Sequence, residues 1–143
     1  MEISEQGIAL IRQFEGFSPK RYLCPAGKPT IGYGHVIKPG EMFAAEITEH
    51  EAQELLRADL RHFEETLNTL VQVEVTQGQY DALVSFCYNV GVNALRTSTL
   101  LRFLNTGNYA AAAIQFSRWC YINGQPSEGL ARRRRAEILR FNA

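Results

Sequence analysis

Apolar residues recur at intervals of three and four along most of the chain, a spacing that predicts amphipathic helices. The first such segment covers residues 4–15 and begins at Ser4, a residue type that favours helix N-caps. From Arg21 to Val36 the pattern changes to short segments separated by prolines and glycines. This pattern is typical of short antiparallel strands joined by turns.

The longest predicted helix follows these strands and begins at a capping box. Thr48 supplies the hydroxyl of that motif, Glu51 supplies the carboxylate three residues on, and leucines then recur as far as Leu70. A second capping box, Thr76 with Gln79, starts the next helix. The predicted helices beyond Leu70 cover residues 76–91, 98–105, 109–121 and 130–141, with a loop over 122–129. This order of elements predicts an α+β fold with a small early sheet lobe and a cleft between two lobes, which suits a polymeric substrate.

The length of 143 residues favours a single domain, because one hydrophobic core usually serves about 100–200 residues. Hydrophobic residues make up 45% and charged residues 21%, which excludes disordered, collagen-like and coiled-coil chains. No apolar run approaches the ~18–20 residues that span a bilayer. The residues from Met1 to Glu5 lack the basic and apolar regions of a signal peptide. We therefore expect no stable membrane association, and accumulation in the cytoplasm on synthesis.

Fifteen basic and fifteen acidic residues balance, but their distribution along the chain is uneven. Residues 1–71 carry seven Lys/Arg and eleven Asp/Glu, a net charge of −4, and residues 72–143 carry eight Arg and four Asp/Glu, a net charge of +4. A basic half can face a polyanion, or the two halves can attract each other. The run Arg132–Arg135 lies on a predicted helix, where neighbouring side chains point about 100° apart and do not form one stripe. Since the net charge is zero and no aromatic platform accompanies the run, we expect no nucleic-acid partner.

The cysteines and histidines do not form a recognisable framework. Three cysteines at wide spacing, Cys24, Cys87 and Cys120, are a poor basis for disulfides. The last two lie among apolar residues, where a small buried thiol is ordinary. The three histidines, His35, His50 and His62, have no zinc-ligand spacing with these cysteines. We expect no metal site and no cofactor.

Glu15 is a candidate for acid catalysis. It ends the first predicted helix between Phe14 and Gly16. Apolar neighbours favour the protonated form of a carboxyl, which is the form that a general acid needs. The alternative is an exposed glutamate near a helix end, and position alone does not decide between the two.

The spacing Glu15, eight residues, Cys24, five residues, Thr30 resembles the catalytic signature of the phage-type lysozymes of glycoside hydrolase family 24. In this signature the second position is Asp or Cys. Other stretches resemble the family's landmarks in the same order, namely residues 30–35, 82–91, 98–101, 118–119 and 129–134. The resemblance covers nearly the whole chain. It implies one lysozyme-like domain over residues 1–143, with a small lobe of about 17–47, a connecting helix of about 48–70, and a helical lobe of 71–143 plus the N-terminal helix.

The resemblance implies a muramidase that cleaves the β-1,4 bond between N-acetylmuramic acid and N-acetylglucosamine in peptidoglycan. Glu15 would protonate the leaving oxygen, and Thr30 would orient the attacking water. Cys24 stands where many members have Asp. As a thiolate Cys24 could act as a base toward water or as a nucleophile, and as a neutral thiol it could only position water. We favour water activation because the spacing matches the inverting signature. On their residue types alone, Cys24 could be an inert thiol and Thr30 an ordinary strand residue.

Further residues are candidates for sugar binding. A glycan could lie along the strand that carries Gly32, Tyr33 and His35, since glycines permit close approach, or this segment could simply be a tight hairpin. Tyr88 could cover a sugar face and Asn89 could bond an N-acetyl or hydroxyl group, or the pair could serve core packing and a helix end. Of the four arginines we expect one or two to point toward the cleft. We assign Arg133 to the site, next to an acid of the small lobe such as Glu15, and expect loss of Arg134 or Arg135 to change activity little.

The leading hypothesis is therefore an endolysin that acts as a monomer on peptidoglycan glycan strands. By family analogy it would depend on a phage holin to pass from the host cytoplasm to the wall. A lytic transglycosylase, which would need Glu15 but no water-activating partner, and a non-catalytic wall-binding module are the alternatives.

Overall fold

The computed structural model describes all 143 residues, and the chain divides into two compact units. The small unit is Ile11–His62, and the helical unit combines Met1–Leu10 with Phe63–Ala143. Both divisions fall inside helices, namely α1 (Glu5–Glu15) and α2 (Glu49–Leu70). The end of the first helix and the first part of the long helix thus group with the strands, whereas we expected them to lie outside the small lobe.

The small unit contains a three-stranded antiparallel sheet in the order β1 (Ser18–Leu23), β2 (Pro29–Gly32) and β3 (His35–Val36). Its long helix begins as predicted, because the Thr48 hydroxyl accepts from the Glu51 amide at 3.1 Å and the Glu51 carboxylate accepts from the Thr48 amide at 3.1 Å. The core of this unit is formed by the buried side chains of Ile11, Ile31, Tyr33, Ile47, Ala52, Leu56 and Leu60.

The helical unit is built around α3 (Gln77–Val90), which begins at the predicted capping box of Thr76 and Gln79. All residues from Tyr80 to Cys87 are buried, so this helix is the centre of the unit's core. The remaining elements are α4 (Val92–Arg96), α5 (Thr99–Asn105), α6 (Tyr109–Gln115), a 3₁₀ turn (Phe116–Arg118), β4 (Tyr121–Ile122), β5 (Gln125–Pro126) and α7 (Glu128–Phe141). Edge-to-face contacts at 5.2–5.5 Å connect the buried rings of Phe86, Phe116 and Phe141 with half-buried Trp119.

Two local predictions in this unit were wrong. The helix expected over 109–121 ends at Gln115, and a small hairpin replaces the loop expected over 122–129. The hairpin turns at Asn123 and Gly124, whose φ angles are 49° and 78°. Two successive residues of positive φ are what a type I′ turn requires, and Asn-Gly is its preferred sequence. The five-residue helix α4 was not predicted at all.

Hydrogen bonds connect residue 4 with residue 140 through Asp81 inside the helical unit. The backbone amide and the hydroxyl of Ser4 both donate to the carboxylate of Asp81, which is fully buried. Arg140 of α7 donates to the same carboxylate at 2.7 Å. The Ser4 hydroxyl also accepts from the Gly7 amide at 3.2 Å, which makes Ser4 the predicted N-cap of α1.

Candidate active site

Glu15 is placed by the end of α1. Gly16 follows it with φ of 69°, and the Gly16 amide donates to the carbonyl of Arg12 at 3.1 Å. A glycine of positive φ just past the last turn is a common helix stop. Glu15 is therefore the last helical residue. It is half-buried, and two residues separate it from β1.

Cys24 and Thr30 are brought together by the hairpin of β1 and β2. Tyr22 pairs with Thr30 across the strands, and the turn is closed by the Cys24 amide donating to the Lys28 carbonyl at 3.0 Å. Because side chains alternate along an extended chain, Cys24 lies on the same face as Tyr22, two residues closer to the turn. The spacing of five residues between Cys24 and Thr30 thus makes them diagonal neighbours on one face of the hairpin. Thr30 is buried and Cys24 is partly exposed.

The hairpin turn favours the thiolate form of Cys24. The pKa of this thiol lies below its usual value because the backbone amide of Lys28 bonds to the sulfur. Burial opposes the shift, while the Ala26 amide, the Thr30 hydroxyl and the Lys28 charge support it. The Thr30 hydroxyl has a single proton, which it donates to the Lys28 carbonyl at 2.9 Å. It can turn that proton to the sulfur when a thiolate forms.

Tyr22 connects this hairpin with the end of α1. Its pKa is raised first by burial, then by the charge of Glu15 and then by that of Cys24. A charge shifts the pKa of another group only when the two are close or when little water lies between them. Glu15, Tyr22 and Cys24 therefore share one neighbourhood in the small unit, and Thr30 joins them through Cys24.

Three of the expected sugar-binding residues are instead part of the small unit's interior. Gly32 has φ of 71°, a conformation that other residues rarely adopt. A Cβ at this position would also be crowded, at 3.2 Å from the Cβ of Ala52 on α2, so both the turn and the helix favour glycine. The ring of Tyr33 is buried, and its hydroxyl donates to Glu49 at 2.7 Å. We therefore withdraw Gly32, Tyr33 and His35 from the sugar-binding set and assign them to the hairpin and its packing.

His35 is the centre of a cluster of charged groups. Its Nδ1 lies 2.8 Å from the carboxylate of Asp59 and its Nε2 lies 3.0 Å from that of Glu41, so no ring nitrogen is left for a sugar. Burial lowers the pKa of His35, but the bonds to Asp59 and Glu41 outweigh it and raise the pKa above its usual value. The Lys38 amide lowers the pKa of Glu41, with His35 adding to the effect, whereas burial raises the pKa of Asp59. The two carboxylates lie on opposite sides of the ring, and the chain has no group of such side chains arranged to hold a metal ion.

The other candidate binding residues belong to the helical unit. Tyr88 is half-buried, and its ring meets that of Phe63 edge-on at 5.2 Å. Asn89, at the last turn of α3, is exposed and accepts a hydrogen bond from Arg134. The guanidinium of Arg133 is buried and donates to the carbonyl of Ser85 at 3.1 Å.

Beneath Asn89 lies a buried charged network that the sequence analysis missed. Glu137 is fully buried, accepts from the Ser85 hydroxyl at 2.6 Å, and forms ion pairs with Arg133 at 3.3 Å and Arg134 at 2.9 Å. Arg134 is only 1% exposed and Arg133 only 3%, so two of the four arginines are buried. The available signal was the spacing of three and four residues from Arg134 and Arg133 to Glu137, which aligns them on one helix face.

The comparisons with known proteins agree with the resemblance seen in the sequence. The family model for phage lysozyme matches residues 12–137. The chain is 42% identical over 149 residues to the endolysin of Acyrthosiphon pisum secondary endosymbiont phage 1, covering 100% of this chain and 99% of the relative. No helix of the chain combines the length and the apolar character needed to span a membrane.

Solved structures also match this chain over nearly its whole length. The muramidase domain of SpmX from Asticaccaulis excentricus matches with a TM-score of 0.91 and 39% identity, covering 99% of this chain and 98% of that one. The lysozyme of phage P22, in a mutant form, matches with a TM-score of 0.90 and 40% identity, covering 100% of this chain and 99% of that one. The α+β lysozyme-like fold is thereby confirmed. Together with the family match over most of its length, these similarities show that the chain belongs to the phage lysozyme family and is a muramidase of the endolysin type.

Proposed function

We propose that this muramidase cleaves the peptidoglycan glycan strand by direct attack of water, with Glu15 as general acid and Cys24 as general base. The observation that carries this proposal is the position of Cys24 at the closed turn of the β1–β2 hairpin, diagonal to Thr30, where the amides of Lys28 and Ala26 lower the pKa of its thiol. These donors favour a thiolate, which can accept a proton from water.

The chemistry divides between the two groups. The Glu15 carboxyl gives its proton to the oxygen that leaves with N-acetylglucosamine, as the bond from this oxygen to C1 of N-acetylmuramic acid breaks. Water forms the new bond to C1 and loses its proton to the Cys24 sulfur. Thr30 holds the water by its hydroxyl. Solvent then returns a proton to Glu15 and takes one from the Cys24 thiol, which restores both groups. Attack from the face opposite the leaving oxygen inverts the configuration at C1.

The helical unit supplies glycan contacts in this proposal. Tyr88 offers a half-buried ring and Asn89 an exposed amide, an aromatic and amide pair of the kind that suits N-acetylated sugars. Arg133 is proposed to support the site while its guanidinium is fixed by Ser85 and Glu137. The enzyme would act as a monomer, be made in the host cytoplasm and reach the wall after a holin has opened the membrane.

Glu15→Gln tests the acid. The amide keeps the shape of the side chain but has no proton to give, so we expect a loss of activity of ~10²–10⁴-fold with an unchanged melting temperature. Activity within tenfold of wild type, measured as turbidity reduction of permeabilised Gram-negative cells, would refute this role of Glu15.

The base is tested through Cys24 and through the product. Cys24→Asp should stay active, because a carboxylate can activate water, while Cys24→Ala should not. An active Cys24→Ser beside an inactive Cys24→Asp would contradict the base role. Analysis of the product ends decides the course: hydrolysis gives a reducing N-acetylmuramic acid end, whereas a 1,6-anhydro end would identify a transglycosylase.

A further inference from the structure

Asn89 makes one hydrogen bond within the protein, and that bond fixes the direction of its amide. Arg134 donates from Nη2 to the Asn89 Oδ1. A guanidinium has only donors, so the amide must turn its oxygen toward the arginine and its NH₂ group away. Asn89 is exposed, and its outward side is therefore a pure hydrogen-bond donor.

The arginine that sets this direction is itself buried against a ring and a carboxylate. Its guanidinium carbon lies 5.0 Å from the centre of the Phe86 ring, and its Nε lies 2.9 Å from the Oε1 of Glu137. The other oxygen of Glu137 is fixed by the Ser85 hydroxyl at 2.6 Å and by Arg133. These contacts place the Arg134 guanidinium between Phe86 and Glu137, with its Nη2 directed to Asn89.

This network is a costly way to fill a core. Burying charges costs several kcal/mol per ion in desolvation, and apolar residues of similar volume are often at least as stable in such places. Three buried atoms, Nε and Nη1 of Arg134 and Oε1 of Glu137, make no hydrogen bond, although Nε and Oε1 lie 2.9 Å apart as an ion pair. Stability alone therefore does not explain why Arg134 and Glu137 are buried here. Their arrangement does, however, orient the amide of Asn89.

We propose that Arg134 is a positioning residue, which acts through Asn89 and makes it a donor for an acyl oxygen of the substrate. The inference rests on the proposed function, since it assumes that Asn89 contacts the glycan strand. Two groups of peptidoglycan carry such an oxygen, namely the N-acetyl group of the sugars and the carbonyls or carboxylates of the stem peptide. Both would be bound by the same NH₂ group.

The test separates these sources by measuring binding in the Glu15→Gln background, by calorimetry, to chitotetraose and to a purified muropeptide. Asn89→Asp keeps an acceptor for Arg134 but replaces the outward donor with an acceptor. We expect it to keep its melting temperature and to bind ~3- to 10-fold more weakly, the usual effect of one lost hydrogen bond. A loss with chitotetraose assigns the contact to the N-acetyl group, and a loss with the muropeptide alone assigns it to the stem peptide. Unchanged binding of both probes would overturn the proposal.

Arg134→Met tests the positioning role, because methionine retains much of the packing against Phe86 without a donor. We expect a ~3-fold weaker affinity and, in the Glu15-containing enzyme, a higher KM with little change in kcat. The decisive variant combines Arg134→Met with Asn89→Ala and should bind no more weakly than Asn89→Ala alone, since Arg134 acts only through that amide.

Additive losses in the combined variant would overturn this role. Arg135→Met, on the same helix but with an exposed side chain, is the matched control and should behave as wild type. If Arg134→Met does not fold, Asn89→Asp still tests the donor, since it leaves the arginine in place. Because binding is measured without turnover, failure of this proposal is distinguishable from failure of the Glu15 mechanism.

Discussion

The cluster around His35 predicts a stability that depends on pH in a defined direction. His35→Asn removes the charge while keeping one amide near the position of Nδ1. The wild-type ring joins two carboxylates, Asp59 at 2.8 Å and Glu41 at 3.0 Å, and the His35 side chain is only 5% exposed. Hydrogen bonds between charged groups contribute ~1.5–3 kcal/mol each, so two of them give roughly 3–6 kcal/mol before hydration is considered.

The two carboxylates reduce this figure because they keep contact with water. Asp59 and Glu41 are 20% and 29% exposed and recover part of their hydration when the histidine is lost. We therefore expect His35→Asn to lower the free energy of unfolding by about 2–4 kcal/mol near pH 6. For a chain of this size that is a drop in melting temperature of roughly 6–16 °C.

The direction of the pH effect follows from the raised pKa of His35. Protons bind more tightly to the folded protein than to the unfolded one, so the ion pairs contribute fully below the ordinary pKa of 6.5. This contribution is lost as the pH rises through the raised pKa. The difference between wild type and His35→Asn should thus be largest near pH 6 and shrink by pH 9 to the cost of altered packing.

Thermal unfolding followed by circular dichroism at pH 6 and pH 9 measures this difference. His50→Asn is the control, because His50 is exposed on the same unit's long helix and its loss should change little at either pH. If the deficit of His35→Asn is the same at both pH values, His35 is uncharged in the folded protein and the reasoning is refuted.

Three further predictions concern glycine, arginine and cysteine positions. Gly7→Ala should destabilise the helical unit by about 1–3 kcal/mol, since its Cβ would lie 2.6–2.7 Å from side-chain atoms of Ile3 and Asp81, whereas Gly129→Ala on α7 meets no atom closer than 3.9 Å and should raise the melting temperature. Arg133→Ala should lower both melting temperature and activity because it leaves buried Glu137 with one partner fewer, while Arg135→Ala, whose pair with Glu128 is exposed, should shift the melting temperature by less than about 2 °C. Iodoacetamide at pH 7 should modify Cys24 and inactivate the enzyme while leaving Cys87, whose pKa burial raises to about 11; mass spectrometry that finds Cys87 modified first would contradict this order.

Features encoded by neighbouring residues were predictable from the sequence. The caps at Ser4, Thr48 and Thr76 each depend on contacts within three residues, and all three formed as expected. The hairpin at Asn123 has an equally local signal in its Asn-Gly turn. The surrounding glycine, proline and serine residues are just as typical of a loop, so the segment was predicted as one.

Features that depend on distant partners were not predictable in the same way. His35 looked like a sugar ligand because Asp59, its partner, is 24 residues away in the sequence. Arg134 looked like one of a solvated run because the acceptor Asn89 is 45 residues away. The arrangement of Cys24 and Thr30 on one hairpin face could be inferred from spacing, but the amides that favour the thiolate could not, since they depend on the conformation of the turn.

The hydrogen bonds of Ser4 with Asp81 and Arg140 bring residues 4 and 140 to the same place in the helical unit. The helical unit is consequently discontinuous in sequence, since residues 1–10 belong with residues 63–143. A nascent chain has made the first of these segments long before the second and must hold it unpaired while the small unit emerges. Joining Ala143 to Met1 by a short linker and opening the chain near residue 10 would make each unit contiguous. In such a circular permutant the helical unit would form its core from one continuous segment, and residues 1–10 would no longer be separated from residues 63–143 by the small unit.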